Sequence, residues 1–192
     1  MNDRIEIYDL VDIIISDMKG RPLSMIYIKD LVPAEMRDEL IINPYGDEYV
    51  GWKFISSTIT DADIDEVENK LGVTLPSQYR HFVQYKYFIE LHTHNNAIRF
   101  ENITDAQKLM NLVRTNHDYR NEILDDGFII VASFYDFGYV LLRCNENNPK
   151  VYVAMFEDLS KKHEYADNLT KILTLDSNYA NDFIEKYNAK QK

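Results

Sequence analysis

His92 and His94 stand two residues apart, a spacing that on a β-strand puts both imidazoles on one side, where they could grip a metal ion. A structural zinc site takes four ligands and a catalytic one three plus water. No cysteine or further histidine lies near this pair in the sequence, so the reading is two exposed hairpin histidines rather than a metal site. Cys144, the one cysteine, sits at the end of the strand-like run "YVLLRC". It has no partner for an internal disulfide and no base in view to activate it, so it reads as core filling. The carboxylate pairs Asp47-Glu48 and Asp125-Asp126 could move protons only if held in a cleft, and both stand beside glycine in turn-like segments. "DFG" (Asp136 to Gly138) echoes a kinase motif, but no glycine-rich loop or HRD-like run accompanies it, and it reads as a hairpin turn. GxSxG, P-loop, GxGxxG and HExxH patterns are all missing from the sequence. The expectation is a chain with no catalytic residue, no cofactor and no metal; a hydrolase or metal enzyme built on His92 and His94 is the weakest rival.

A surface function is the better supported class. The formal charge is −11, and residues 1–50 carry 11 acids against 5 bases, −6 of that imbalance. Such a field repels nucleic acid and anionic lipid and attracts basic partners. The plain alternative is that the acidity only keeps the chain soluble. There are 14 Tyr and 9 Phe, several beside acids in loop-like segments. Rigid aromatic anchors with charges around them suit a protein-binding rim. The candidate partner-binding residues are therefore Tyr45, Asp47, Glu48, Tyr49, Asp136 and Phe137. Each of these rings could instead be buried in the core.

The elements that would position these residues follow from hydrophobic periodicity. Ile7, Leu10, Val11, Ile14 and Met18 recur at helical spacing until Gly20 and Pro22 stop them. "PLSMIYI" suggests a short strand and "PAEMRDELI" a second short helix with acids in its first turn. In "STITDADIDEVENKLGVTLPSQYRHFV", Thr60 can cap a helix whose buried face is Ile64, Val67 and Leu71, while Asp65, Glu66 and Glu68 face water. Gly72 ends it, Pro76 bars Leu75 from helical backbone, and a new helix buries Tyr79, Phe82 and Val83. "FIEL" and "AIRF" flank a hairpin turning at Asn95-Asn96, and "DAQKLMNLVRTNHDY" predicts a helix burying Leu109, Leu112 and Val113. "GFIIVASF", "YVLLRC" and "VYVAMF" form an antiparallel meander, and "EYADNLTKILTL" and "NYANDFIEKYN" predict closing helices. The fold class is α+β, a mostly antiparallel sheet packed by helices. At 192 residues, with no repeat and no low-complexity linker, the chain reads as one domain. The N-terminus has no signal-peptide pattern, and the apolar run "FIIVASF" is far shorter than a span of about 20 residues, so the expected setting is cytoplasmic.

Trp52 upstream, then "STITDADIDEVENKLG", "LP" and "YRHF", together resemble the core motif of the SMI1/KNR4 family (SUKH superfamily). The positions carrying the likeness are Trp52, Gly72, Leu75, Pro76, Tyr79 and Phe82, and it extends from about Val32 to Asp158. On that basis residues 1–31 are an N-terminal helix-and-strand extension, 32–158 the core and 159–192 C-terminal helices. Where many members have an Asn-Gly-Gly-like turn after the second helix of the motif, this chain has "YKYFIEL". The resemblance implies the same α+β fold and, for bacterial members, a non-enzymatic immunity protein that neutralises a cognate toxin, often a nuclease. It also leaves open a regulatory or scaffolding module with no toxin partner, as in fungal members. Either way, the residues of the motif are scaffold, with the expected partner a basic protein rather than nucleic acid or membrane.

Overall fold

The computed structural model describes residues 3–93, 96–104, 109–174 and 177–190. Its frame is a seven-stranded sheet in which every neighbour is sequential and antiparallel: β3 (Ile55–Ser56), β4 (Lys86–His92), β5 (Ile98–Ile103), β6 (Phe128–Phe134), β7 (Gly138–Arg143), β8 (Val151–Met155) and β9 (Asp158–Ala166). A separate two-stranded ribbon pairs β1 (Ile26–Ile28) with β2 (Tyr49–Gly51). Helices α1 (Asp3–Lys19), α2 (Asp61–Leu71), α3 (Ser77–Val83), α4 (Met110–Asp118), α5 (Leu169–Thr174) and α6 (Ser177–Lys190) complete an α+β fold, as expected. One main core joins them: Ile7, Val11, Ile14 and Met18 of α1 are buried in the same cluster as Trp52, Phe82, Phe100 and Ala180.

The α2–α3 corner forms as its residues dictate. Thr60 caps α2 reciprocally: its hydroxyl accepts from the Asp63 N–H at 3.3 Å, and the Asp63 carboxylate accepts from the Thr60 N–H at 2.9 Å. Gly72 takes φ +77°, the left-handed geometry that ends the helix, and its N–H donates to Glu68 O at 2.7 Å. Pro76 stands at the N-cap of α3, just ahead of its first turn. Leu75, Tyr79 and Phe82 are buried, and the Phe82 ring lies 4.7 Å from Phe100 and 5.9 Å from Phe88. This seats the corner on the β4–β5 face of the sheet. Burial also raises the Tyr79 hydroxyl pKa, with the Glu101 charge adding to it, so that ring is neutral core.

Glu68 corrects the reading of a solvated helix face. Its side chain is 14% exposed, and one oxygen accepts both from the Leu75 N–H at 2.7 Å and from Arg80 at 3.1 Å. Arg80 also donates to Asp65 at 3.1 Å, so a single guanidinium ties the start of α3 to α2. The link "YKYFIEL" needs no turn motif: α3 ends at Val83 and β4 begins at Lys86. The Tyr85 ring beside that junction stacks on Tyr8 of α1 at 4.0 Å, and its hydroxyl donates to Asp12 at 2.6 Å.

Two predicted helices are replaced by pairing from outside the segment. "PAEMRDELI" keeps only a 3-10 turn, Ala34–Met36. Beyond it the chain runs extended beside β2: Arg37 bridges Trp52, the Asp38 N–H donates to Gly51 O at 2.8 Å, and the Lys53 N–H donates to Met36 O at 2.8 Å. "EYADNLTKILTL" is strand through Ala166, because β8 offers an apolar edge and β9 pairs with it from Met155↔Asp158 to Val151↔Ala166. Helix starts only at Leu169, where the Asn168 carboxamide accepts from the Lys171 N–H at 2.9 Å. Residues 159–192 are thus strand and then helices, not helices throughout. The expected helix over "DAQKLMNLVRTNHDY" is α4; Asp105 to Lys108 lie outside the described residues.

Candidate protein-interaction surface

The loop from Asp38 to Tyr49, the finger, is built of turns and bends and runs into β2 of the β1–β2 ribbon. Its backbone is held at several points. Asn43 donates to Gly46 O at 2.6 Å and to Tyr49 O at 2.8 Å, while its carboxamide oxygen accepts from the Tyr45 N–H at 2.8 Å. The Asp38 carboxylate accepts from the Leu40 N–H at 3.0 Å, and the Lys29 N–H donates to Glu48 O at 2.8 Å. Gly51 lies so close that a Cβ there would stand 2.5 Å from both Asp38 O and Ile41 Cβ. Glycine is required at that position by close approach, not by backbone conformation.

On this finger the sequence candidates are all at the surface. Tyr45 is 56% exposed and Tyr49 38%, with ring centroids 5.8 Å apart, and Asp47 and Glu48 are exposed between them. Two apolar residues join them, Leu40 from the expected helix and Ile42 just beyond it, at 91% and 88% exposed. Ile41 packs against the core, and the turn at Glu39–Leu40 with the bend at Ile41 leaves its two neighbours outside. The signal for them in sequence was three consecutive apolar residues, Leu40 to Ile42, between acids and the "NPYG" turn.

Asp136 and Phe137 lie elsewhere, at the β6–β7 tip. Tyr135 there carries the positive φ of +46°, while Gly138 is needed because a Cβ would meet Ala154 O at 2.8 Å. Phe137 is partly covered by Phe134 and Tyr135, at 5.8 and 5.4 Å. Asp136 borders an open groove shared with Arg21, Glu90, His92 and Arg99, where the charge is mixed rather than acidic. The two candidate groups therefore differ in their charge: one is a net-acidic apolar finger, the other an exposed tip beside a groove of mixed charge.

The residues weighed for chemistry are not assembled into a reacting centre. His92 pairs with Glu90 at 3.1 Å, and His94 lies outside the described residues. Among the described residues no three His, Cys, Asp or Glu side chains group to hold a metal. Cys144 is buried, and that burial pushes its thiol up to about 12, far from a nucleophile's range. Asp126 is engaged by Lys162, and Asp125 faces Arg120 at 3.5 Å. A small, partly open pocket of about 40 Å³ beside α4 is lined by Leu109, Leu112, Ile130 and neighbours that include Glu101 and Tyr139, and no His, Cys or Lys lines it. Among the described residues no helix is long and apolar enough to cross a membrane.

A family model described as SMI1 / KNR4 family (SUKH-1) matches residues 58–175, more than half of the chain. The chain belongs to this family. SMI1/KNR4 (SUKH) is known as a family of immunity proteins. The matched span of this SMI1/KNR4 chain starts later than the resemblance suggested, after Trp52, and runs past Asp158 through α5. It takes in the α2–α3 corner and β4 to β9, whereas the finger lies ahead of it. Comparison with curated proteins finds no match.

Proposed function

We propose that this chain is a non-enzymatic immunity protein, which binds and neutralises a cognate toxin in the cytoplasm by covering a surface the toxin needs. The observation that carries the reading is the finger: exposed rings and aliphatic side chains among acids, on a member of an immunity-protein family. Burying Leu, Ile and Tyr side chains that the fold itself leaves in water supplies affinity, and the acids around them supply steering. The partner this favours is a basic protein, and toxins that cleave nucleic acid have that character because they must bind phosphate. The same acidity disfavours nucleic acid or anionic membrane as the target.

Steering has a kinetic signature. Association with the toxin domain should slow as ionic strength rises past ~0.1 M, where the screening length falls to ~10 Å. Reversing Asp47 and Glu48 to lysine should mainly slow association, while Tyr45→Ala should mainly speed dissociation. Stopped-flow or surface-based kinetics separate the two rates. An association rate indifferent both to salt and to the double reversal contradicts the acidic-surface account.

A further inference from the structure

We propose that Leu40 and Ile42 are the anchor of the interaction, a preformed apolar knob that enters a cleft with a basic rim on the partner protein. The inference rests on the reading of the chain as a protein-binding module, and goes beyond it in naming the anchor and the chemistry of its receptor.

Three observations carry it. First, the two side chains are the most exposed of the large hydrophobic residues among the described residues, at 91% and 88%, and the next, Ile5, is at 58%. Nothing in the core uses them, since Ile41 between them supplies the inward contact. Second, the backbone that carries them is already fixed by Asn43, by the Asp38 carboxylate and by the close approach at Gly51. A knob held in its final geometry before contact loses little freedom on binding, which is the condition for an anchor to contribute fully. Third, the charged residues that the loop itself carries, Asp38, Glu39, Asp47 and Glu48, are all acidic. Glu39, Asp47 and Glu48 are exposed, the Arg37 guanidinium just ahead of the loop is turned onto the carbonyls of Val32 and Lys29 at 3.1 Å each, and the exposed bases Lys29 and Lys53 belong to the flanking segments. A second copy of this chain would bring the same acids face to face, so self-association through the knob is disfavoured. A cleft with lysine or arginine at its lip matches both parts of the surface. The mixed groove beside Asp136 lacks this match.

A photo-cross-linking residue placed at Leu40 or Ile42 in the full chain, and at the exposed controls Ile13 and Phe156, tests this in the cell. The cross-linked protein is identified, purified and titrated against the chain by calorimetry. The expected result is one basic protein captured at both knob positions. Leu40→Asp and Ile42→Asp should then each weaken its binding about 100-fold or more, with unchanged thermal melting, and Ile13→Asp should stay within about threefold. Three results overturn the proposal: no adduct at the knob, an adduct only with a second copy of the chain, or affinity unmoved by the knob substitutions. A toxin captured only at a control position leaves the immunity reading standing and removes the knob. A basic partner that enters at the knob but is harmless when expressed alone keeps the knob and removes the immunity reading.

Discussion

Trp52→Ala is expected to destabilise the chain by about 3–5 kcal/mol, the range for emptying a fully buried aromatic site. The ring is 1% exposed, packs on Phe54 at a centroid distance of 4.8 Å, and stands where the ribbon meets the main core. Its backbone is fastened on both sides, by the N–H donated to Met25 O at 2.9 Å and by the bridge to Arg37. The cavity left by alanine could close only by shifting the ribbon and, with it, the base of the finger. Since domains of this kind hold a margin of about 5–15 kcal/mol, the loss should be plain in urea or thermal unfolding. Unchanged stability together with lost partner binding would instead make Trp52 a ligand contact.

The second large effect is expected at Asn116, a residue without a charge or a known motif. It is fully buried on α4, and its carboxamide does the work of a missing strand. β5 pairs with β6 only at Ile98↔Phe134 and Arg99↔Ser133, so further along β6 the backbone of Ile130 lacks a strand partner on that side. Asn116 Oδ1 accepts from the Ile130 N–H at 2.7 Å, and Nδ2 donates to Ile130 O at 3.0 Å and to Leu112 O at 2.9 Å. Asn116→Ala leaves two buried backbone groups without partners, each costing about 1–3 kcal/mol, so a loss of about 2–6 kcal/mol is expected. Hydrogen exchange at the Ile130 amide should accelerate ahead of its neighbours. A stability change below about 0.5 kcal/mol with no change in that amide would show that water replaces the carboxamide.

What could be read from sequence was what short-range chemistry decides. The α2–α3 corner was legible because Thr60, Asp63, Gly72 and Pro76 act on residues within one turn of themselves, whatever surrounds them. The β6–β7–β8 meander was legible for a similar reason, tight turns between apolar runs. The segments "PAEMRDELI" and the start of "EYADNLTKILTL" were misread because their conformation is decided by β2 and by β8, elements that a local window does not contain. The misreading of the first segment also hid Leu40, since a helix would have offered it an inward face. Tyr45, Asp47, Glu48 and Tyr49 were singled out by their chemistry rather than their conformation, and the structure leaves all four exposed. Asn116 left a trace that was passed over: a polar residue three and four places after Val113 and Leu112, on the apolar stripe of its helix.

Neutralisation is the central claim, and growth measures it most directly. The basic protein captured at the knob, as the proposed toxin, is expressed from an inducible promoter in a sensitive host, alone, with the full chain, and with the Asp47→Lys/Glu48→Lys form. The account predicts arrested growth with the toxin alone, full rescue by the chain, weaker rescue by the reversed form at matched expression, and a stable one-to-one complex of the purified proteins. Growth arrest that the intact, folded chain does nothing to relieve, with no complex between the two proteins, would contradict it.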